Sequence, residues 1–226
     1  MNHSAADELG AIVAIHGYPG TGKGTLAGHL VRKYGFVQID FADALYEEVA
    51  AALNVDTAAL RNREYKSTPQ ETFCAFHVSH PDYRHFLAKH LRLDLYEPQT
   101  GRFHLDTYGT LFMARQGTPL RWVDATMDRI QKTRGPVVVS DLRRYSDLRE
   151  LRALKLHSAL ARRELCITEI VREGFGPPND SDIHAKLPDG QIDVFLDNHW
   201  TESEFLAQAE RRLVEAGLKL ISKPTS

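Results

Sequence analysis

The stretch AIVAIHGYPGTGKGT, residues 11–25, constrains this chain more than any other. Its apolar start, residues 11–15, predicts a buried strand. The strand breaks into Gly17-Tyr18-Pro19-Gly20-Thr21-Gly22-Lys23-Gly24-Thr25, and a helical pattern runs on to residue 34. This is the G-x-x-x-x-G-K frame of a phosphate-binding loop in the strand–loop–helix setting such a loop requires. The glycines let backbone N–H groups turn inward around phosphate oxygens, where a side chain would block the nest. The helix after the loop adds unpaired N–H groups and the positive end of its dipole. Lys23 supplies a mobile cation for the outer phosphates. A chain that opens this way is expected to be an α/β protein built on a parallel sheet.

The remaining elements fit that expectation. Residues 36–40, FVQID, form a short predicted strand ending in an acid, and a helix is expected over residues 42–53. Residues 54–134 turn helical and irregular, with no strand of a central sheet, and read as an inserted helical region. Within it Asp56 or Thr57 is expected to cap a short helix, and Pro69 to open another. Ser79 with Pro81 starts a third, and Asp106 or Thr107 caps one reaching residue 116. Thr118-Pro119 begins the next.

The continuous valine run in Val137-Val138-Val139-Ser140-Asp141 predicts a central parallel strand buried on both faces. Ser146 is expected to cap the helix after it. Residues 165–171 and 192–196 give the fourth and fifth strands. Between them residues 172–191 form a polar loop rich in Gly, Pro and Asp, the expected lid. Thr201 and Glu204 have the spacing of a capping box for the last helix. The core is thus expected over about residues 10–53 and 135–222, in one domain spanning 1–226.

Ligands of parallel doubly wound sheets sit beyond the carboxyl ends of the strands. Gly17, Asp40, Asp141 and Arg172 all fall there, which makes one rim the expected active site. Phosphoryl transfer needs positioning and charge neutralisation more than covalent chemistry. Lys23 suits the donor phosphates. Asp141 either orients magnesium through water or caps a helix. Arg143, Arg144 and Arg172 suit a bidentate grip on phosphate. Arg115 and Arg121, flanking Gly117-Thr118, are acceptor contacts or helix-surface charges. Asp40 and Asp43 matter only for a hydroxyl acceptor, which needs a base; for Asp43 the alternative is a place in the first turn of its helix.

The insertion is net positive between residues 61 and 92, where Arg61, Arg63, Lys66, Arg84, Lys89 and Arg92 outweigh Glu64, Glu71 and Asp82. Over the whole chain the net charge is −2, so no global attraction to nucleic acid or anionic membrane is expected. Histidines 77, 80, 85 and 90 lack the spacing of a metal-ligand set. Cys74 and Cys166 are far apart and fit a reducing cytoplasm. A short polar N-terminus and the lack of a membrane-length apolar run make a cytoplasmic, membrane-free protein the expectation, as monomer or homodimer.

In the loop the hydroxyl comes two positions after Lys23, at Thr25, with Gly24 between. The run G-x-P-G-x-G-K-G-T resembles the loop of adenylate kinase and other nucleoside monophosphate kinases. That resemblance implies a magnesium ion held mainly by phosphate oxygens and water, with indirect help from Thr25 and Asp141. Further along, the order FADALYEEV, RQGTPLRW, VVVSDLRRYSDLREL, ITEIVREG and IDVFLDN is similar to the deoxynucleoside monophosphate kinases of the type encoded by large phages. The resemblance implies a nucleoside monophosphate kinase-like fold with a five-stranded parallel core and a helical acceptor-binding insertion. It also implies ATP with Mg2+ as cofactors, Arg143 as the D-x-R arginine, Arg172 as a lid arginine, and Asn198 beside the nucleotide; Arg63 and Lys66, in the basic stretch of the insertion, are further acceptor candidates.

Three departures lie on the acceptor side. The segment Phe41-Ala42-Asp43-Ala44-Leu45-Tyr46 lacks the family's Pro and Lys, Met113 stands for a Gln, and Thr110 for an Arg. Three readings therefore stay open. The first is a kinase of deoxynucleoside or nucleoside monophosphates. The second is a kinase of a hydroxyl, on a small metabolite or on a hydroxymethylated base in DNA, with Asp40 or Asp43 as base. The third is a non-catalytic nucleotide-binding protein, which an intact Lys23, Asp141 and Arg172 disfavour.

Overall fold

A computed structural model describes residues 10–117, 121–143, 148–176, 187–188 and 190–223. The elements, in chain order, are β1 (Ile12–His16), α1 (Lys23–Tyr34), β2 (Val37–Gln38), α2 (Asp43–Leu53), α3 (Thr57–Arg61), α4 (Arg63–Ser67) and α5 (Pro81–His90). Next come α6 (Gly101–Asp106), α7 (Met113–Arg115), α8 (Arg121–Lys132), β3 (Val137–Val139), α9 (Arg149–Ala161), β4 (Leu165–Val171), β5 (Val194–Asp197) and α10 (Glu202–Glu215). The strands form one five-stranded sheet in the order β2-β3-β1-β4-β5, with every pair parallel. The chain divides into two compact units, Ala42–Trp122 and the remainder, Met1–Phe41 with Val123–Ser226.

In the sheet unit, strand residues alternate between two cores because successive side chains point to opposite faces. Val13, Ile15 and Val138 meet Leu26 and Leu30 of α1 and Phe205 and Leu213 of α10. Ile12, Ala14, Val137 and Val139 meet Ile130 of α8 and Leu151 and Leu154 of α9. The central strands are therefore apolar at nearly every position, as both-sided burial demands. The expected strand at residues 36–40 shortens to Val37–Gln38, whose side chains are exposed because β2 is a sheet edge. β4 has the expected bounds. The capping box at Thr201 and Glu204 is present, each side chain meeting the other's backbone N–H.

Arg163 closes the end of this unit opposite the phosphate loop. It is 5 % exposed, and its guanidinium donates to the carbonyls of Gly10 (2.7 Å), Ile130 (3.1 Å), Thr133 (3.4 Å) and Gly135 (2.7 Å). The cost of burying the cation is offset because its N–H groups meet four backbone carbonyls at the ends of neighbouring segments. Arg163→Met keeps the stem and removes all four bonds. The expected loss is about 3 kcal/mol or more, read by denaturant unfolding; a wild-type midpoint would contradict this role.

The helical unit has its own core of Tyr46, Leu53, Leu60, Phe73, Tyr83, Phe86, Tyr108 and Phe112, among others. These aromatics serve in packing, whereas Tyr65, Phe76 and Tyr96 are exposed. A buried polar trio inside it is satisfied. His104 Nε2 donates to the Phe73 carbonyl (2.7 Å), so its Nδ1 accepts from the Tyr83 hydroxyl (3.0 Å), and burial lowers the imidazole pKa to about 4.

Several expected helix starts are corrected by the structure. The segment after Pro69 forms two single 3-10 turns, Glu71–Phe73 and Ala75–His77, separated by the extended backbone of Cys74. His80, next to Ser79, is the cap of α5. Neither Asp106 nor Thr107 caps a helix start with its side chain, because α6 already begins at Gly101 with Thr100 accepting from Phe103 N, and runs on through a π turn, Thr107–Phe112, into α7. The expected caps Thr118 and Ser146, and Pro119, lie outside the described residues. Ala42–Trp122 bounds this unit, where the sequence predicts an insertion at 54–134. Among the described residues no helix is long and apolar enough to cross a membrane.

Candidate functional site: the phosphate loop and its rim

The loop between β1 and α1 is shaped by glycines that accept what other residues resist. Gly17 has φ +147°, and a Cβ there would lie 2.4 Å from the Ile170 carbonyl oxygen. Gly22, at φ +107°, starts α1 without a side-chain cap, and the first turn carries no acid. The amides of this helix start are therefore not taken by the chain's own capping groups, and an anion meets the positive end of the dipole there. At Gly24 a Cβ would meet no protein atom within 4 Å. The space beside it is part of a cavity of about 530 Å³ lined by Gly20, Gly22, Lys23, Gly24, Thr25, Arg172 and Asn198.

Lys23 donates to the carbonyls of Gly17 (2.7 Å) and Tyr18 (2.8 Å), which fold its ammonium back over the loop. Thr21 closes the same turn, its hydroxyl donating to the Tyr18 carbonyl (2.9 Å). Pro19 is exposed at the loop's tip. Burial lowers the Lys23 ammonium to about 8; Asp141 opposes that shift and Arg143 reinforces it. Phosphate oxygens would favour the charged form and raise it again. Nucleotide binding at pH 8 is therefore expected to take up about half a proton, seen as a buffer-dependent binding enthalpy, with little uptake at pH 7. Because protons are taken up, affinity falls as pH rises through 8. A buffer-independent enthalpy at pH 8 would contradict a lowered Lys23.

Asp40, two residues beyond β2, accepts from the Ser140 amide (2.6 Å) and hydroxyl (2.9 Å) and from Gln38 Nε2 (2.7 Å). Asp141, two residues beyond β3, accepts from the Phe41 amide at 2.8 Å. The two acids thus cross-link the β2 and β3 ends, and Ser140 itself lines the cavity. Arg172, one residue past β4, lines the cavity too, with its guanidinium 5.0 Å from the Phe175 ring centre. Phe175 packs where a Cβ on Gly20 would stand. Asn198 lines the cavity and braces the loop, donating through Nδ2 to the Thr21 carbonyl at 2.8 Å.

The structure therefore brings the loop, Asp40, Asp141, Arg143, Arg172 and Asn198 into the sheet unit's rim. The helical unit holds the other candidates. Asp43 opens α2 and pairs with Arg61 at 2.5 Å, so it is an ion-paired helix-start acid. Lys66 donates to the Tyr46 hydroxyl, and Arg61 stacks on that ring at 4.5 Å. Arg121 grips Glu48 through Nε (2.8 Å) and Nη2 (2.7 Å). Arg115 lies 3.5 Å from His90, and Arg63 is exposed. Arg144 and most of the expected lid lie outside the described residues.

Four residues of this rim escape a sequence reading. Ser140 and Trp200 line the cavity. Trp200 is a large aromatic left 59 % exposed, just after β5, and its isolation in the polar run DNHWTESE is the one signal that could have found it. His16 and Glu150 are buried behind the rim, and burial with the nearby Asp141 raises the Glu150 carboxyl to about 8. Nothing in their local sequence distinguishes them.

Among known protein families, the model described as "AAA domain" matches residues 16–73, from the phosphate loop into the helical unit. No curated protein matches the chain. Among solved structures, a gluconokinase from Sinorhizobium meliloti 1021 is similar at 17 % identity and TM-score 0.43, covering 91 % of this chain and 92 % of its own. A candidate kinase from Chloroflexus aurantiacus j-10-fl is similar at 13 % identity and TM-score 0.42, covering 93 % and 99 %. At those scores neither likeness bears on the chemistry.

Proposed function

We propose that the protein is an ATP-dependent phosphotransferase, and that its acceptor is a nucleoside or deoxynucleoside monophosphate. The observation that carries the reading is the loop itself. A half-buried ammonium folds back over the loop, ahead of a helix start with no capping side chain and beside a cavity into which Gly24 projects nothing. In the reaction an acceptor phosphate oxygen attacks the γ-phosphorus, the bond to the β-bridging oxygen breaks, and ADP leaves. Lys23 and the loop amides neutralise the donor phosphates, and Arg172 meets charge developing on the transferred group.

Among the described residues no cluster of three or more His, Cys, Asp or Glu could hold a metal ion. Thr25, which lines the cavity, and Asp141, at the β3 end, are the hydroxyl and the carboxylate that would hold a magnesium ion carried in by the nucleotide. Bound there, magnesium would add charge neutralisation on the phosphates.

Two features favour a phosphate over a hydroxyl acceptor. A hydroxyl needs a base, yet Asp40 is committed to Ser140 and Gln38, and Asp43 to Arg61. An anionic acceptor needs cations, and the helical unit carries them at Lys66 and at the exposed Arg63. The test is transfer of label from γ-labelled ATP to a panel of nucleoside monophosphates, free nucleosides, small hydroxyl metabolites and hydroxymethylated DNA. Labelled diphosphate is the expected product. Label on a hydroxyl, in DNA or a metabolite, would overturn the acceptor assignment, and transfer to nothing would overturn the kinase reading.

A further inference from the structure

The short turn after β3, Asp141-Leu142-Arg143, is fixed at each of its residues by a different element. Asp141 accepts from the Phe41 amide. The Leu142 carbonyl meets His16 Nδ1 at 3.0 Å, and since a carbonyl can only accept, Nδ1 carries the proton. The Arg143 amide donates to Glu150 Oε2 at 2.7 Å. His16 is 2 % exposed and Glu150 3 %, so neither bond can be replaced from bulk water.

His16 also immediately precedes Gly17, the first residue of the phosphate loop. Its Nε2 lies 3.9 Å from Glu169 on β4, the residue opposite it in the strand register and three before Arg172. One imidazole, at the end of the strand that enters the loop, thus meets both the turn bearing Asp141 and Arg143 and the strand that leads to Arg172. The same turn sets the electrostatic surroundings of Lys23, whose ammonium responds to both Asp141 and Arg143.

From this geometry, and resting on the kinase reading above, we infer that His16 and Glu150 are positioning residues for phosphoryl transfer. They hold the Asp141–Arg143 turn at its working distance from Lys23, without touching nucleotide themselves. A displacement of about 1 Å at such a place costs on the order of a hundredfold in rate while leaving ground-state binding largely intact.

The experiment measures kcat, KM for ATP and thermal unfolding for His16→Leu, His16→Asn, Glu150→Met and Glu150→Gln. The acceptor is a nucleoside monophosphate or, failing one, water. Asn keeps a donor near the place of Nδ1, and Gln keeps an acceptor for the Arg143 amide. His16→Leu and Glu150→Met are expected to lose about ten- to a hundredfold in kcat with KM for ATP nearly unchanged. His16→Asn and Glu150→Gln are expected to recover most of it. Folded Leu and Met variants with wild-type kcat would overturn the inference. So would Asn and Gln variants that fall as far as Leu and Met, since the hydrogen bonds would then not be what matters.

Should Leu or Met prevent folding, Glu150→Asp decides, its carboxyl group being one methylene short of the Arg143 amide. A lowered kcat at constant KM then supports the role, and an unchanged kcat overturns it. Wild-type protein without ATP turnover marks failure of the kinase reading and is seen before any variant is made; variants indifferent beside an active wild type mark failure of this inference alone.

Discussion

Lys23→Met is expected to abolish phosphoryl transfer, lowering turnover of γ-labelled ATP by about a thousandfold, while the fold survives. The ammonium donates to two carbonyls of its own loop, Gly17 and Tyr18, so its loss disturbs no distant packing. Burial disfavours the charged form in the folded protein, which is why its pKa is lowered to about 8. An apolar side chain of similar length removes that penalty, and the thermal midpoint is expected to stay level or rise. Activity and stability should therefore move independently. A variant that keeps turnover within tenfold of wild type would contradict a catalytic Lys23.

Gly17→Ala is expected to act in the opposite way, damaging loop and stability together. The backbone at φ +147° is strained for any side chain, and the added Cβ would sit 2.4 Å from the Ile170 carbonyl oxygen and 2.9 Å from Thr21 Oγ1. Ile170 belongs to β4, which pairs with β1 up to Glu169 and with β5 from Thr168 to Val171, so the carbonyl cannot retreat cheaply. The loss is expected to reach at least about 2 kcal/mol, with nucleotide binding lost alongside. Thermal unfolding and a nucleotide titration read both. Wild-type values in each would mean that the loop tolerates a side chain at its first position, against this geometry.

What the sequence made legible is local. The phosphate loop, the bounds of β4 and the capping box at Thr201 and Glu204 each arise from neighbours in the chain, through glycine freedom, strand periodicity and a three-residue spacing. The valine run at residues 137–139 announced a strand covered on both faces, and the two cores flanking it bear this out.

The rim's second layer is not local. Asp40 and Ser140 are 100 residues apart, and His16 and Leu142 are 126 apart. No periodicity announces such a bond; it exists only once the parallel register puts strand ends side by side. The helical unit was harder still. Its 3-10 turns and π turn depend on how Phe73, Tyr83, His104 and Tyr108 pack around one another, and packing overrides helix propensity in short segments. Asp43 shows the same limit: its acidity and its place at a helix start are visible in the chain, whereas its ion pair with Arg61 is not.

The central claim is that residues 17–25 grip the phosphates of ATP. Isothermal titration of the intact protein with magnesium and ATP tests it most directly, paired with thermal unfolding in the same buffer. The expected result is saturable heat with one site per chain and a raised unfolding temperature, both lost in Lys23→Met. No heat and no thermal protection for the wild-type protein would contradict the account at its root.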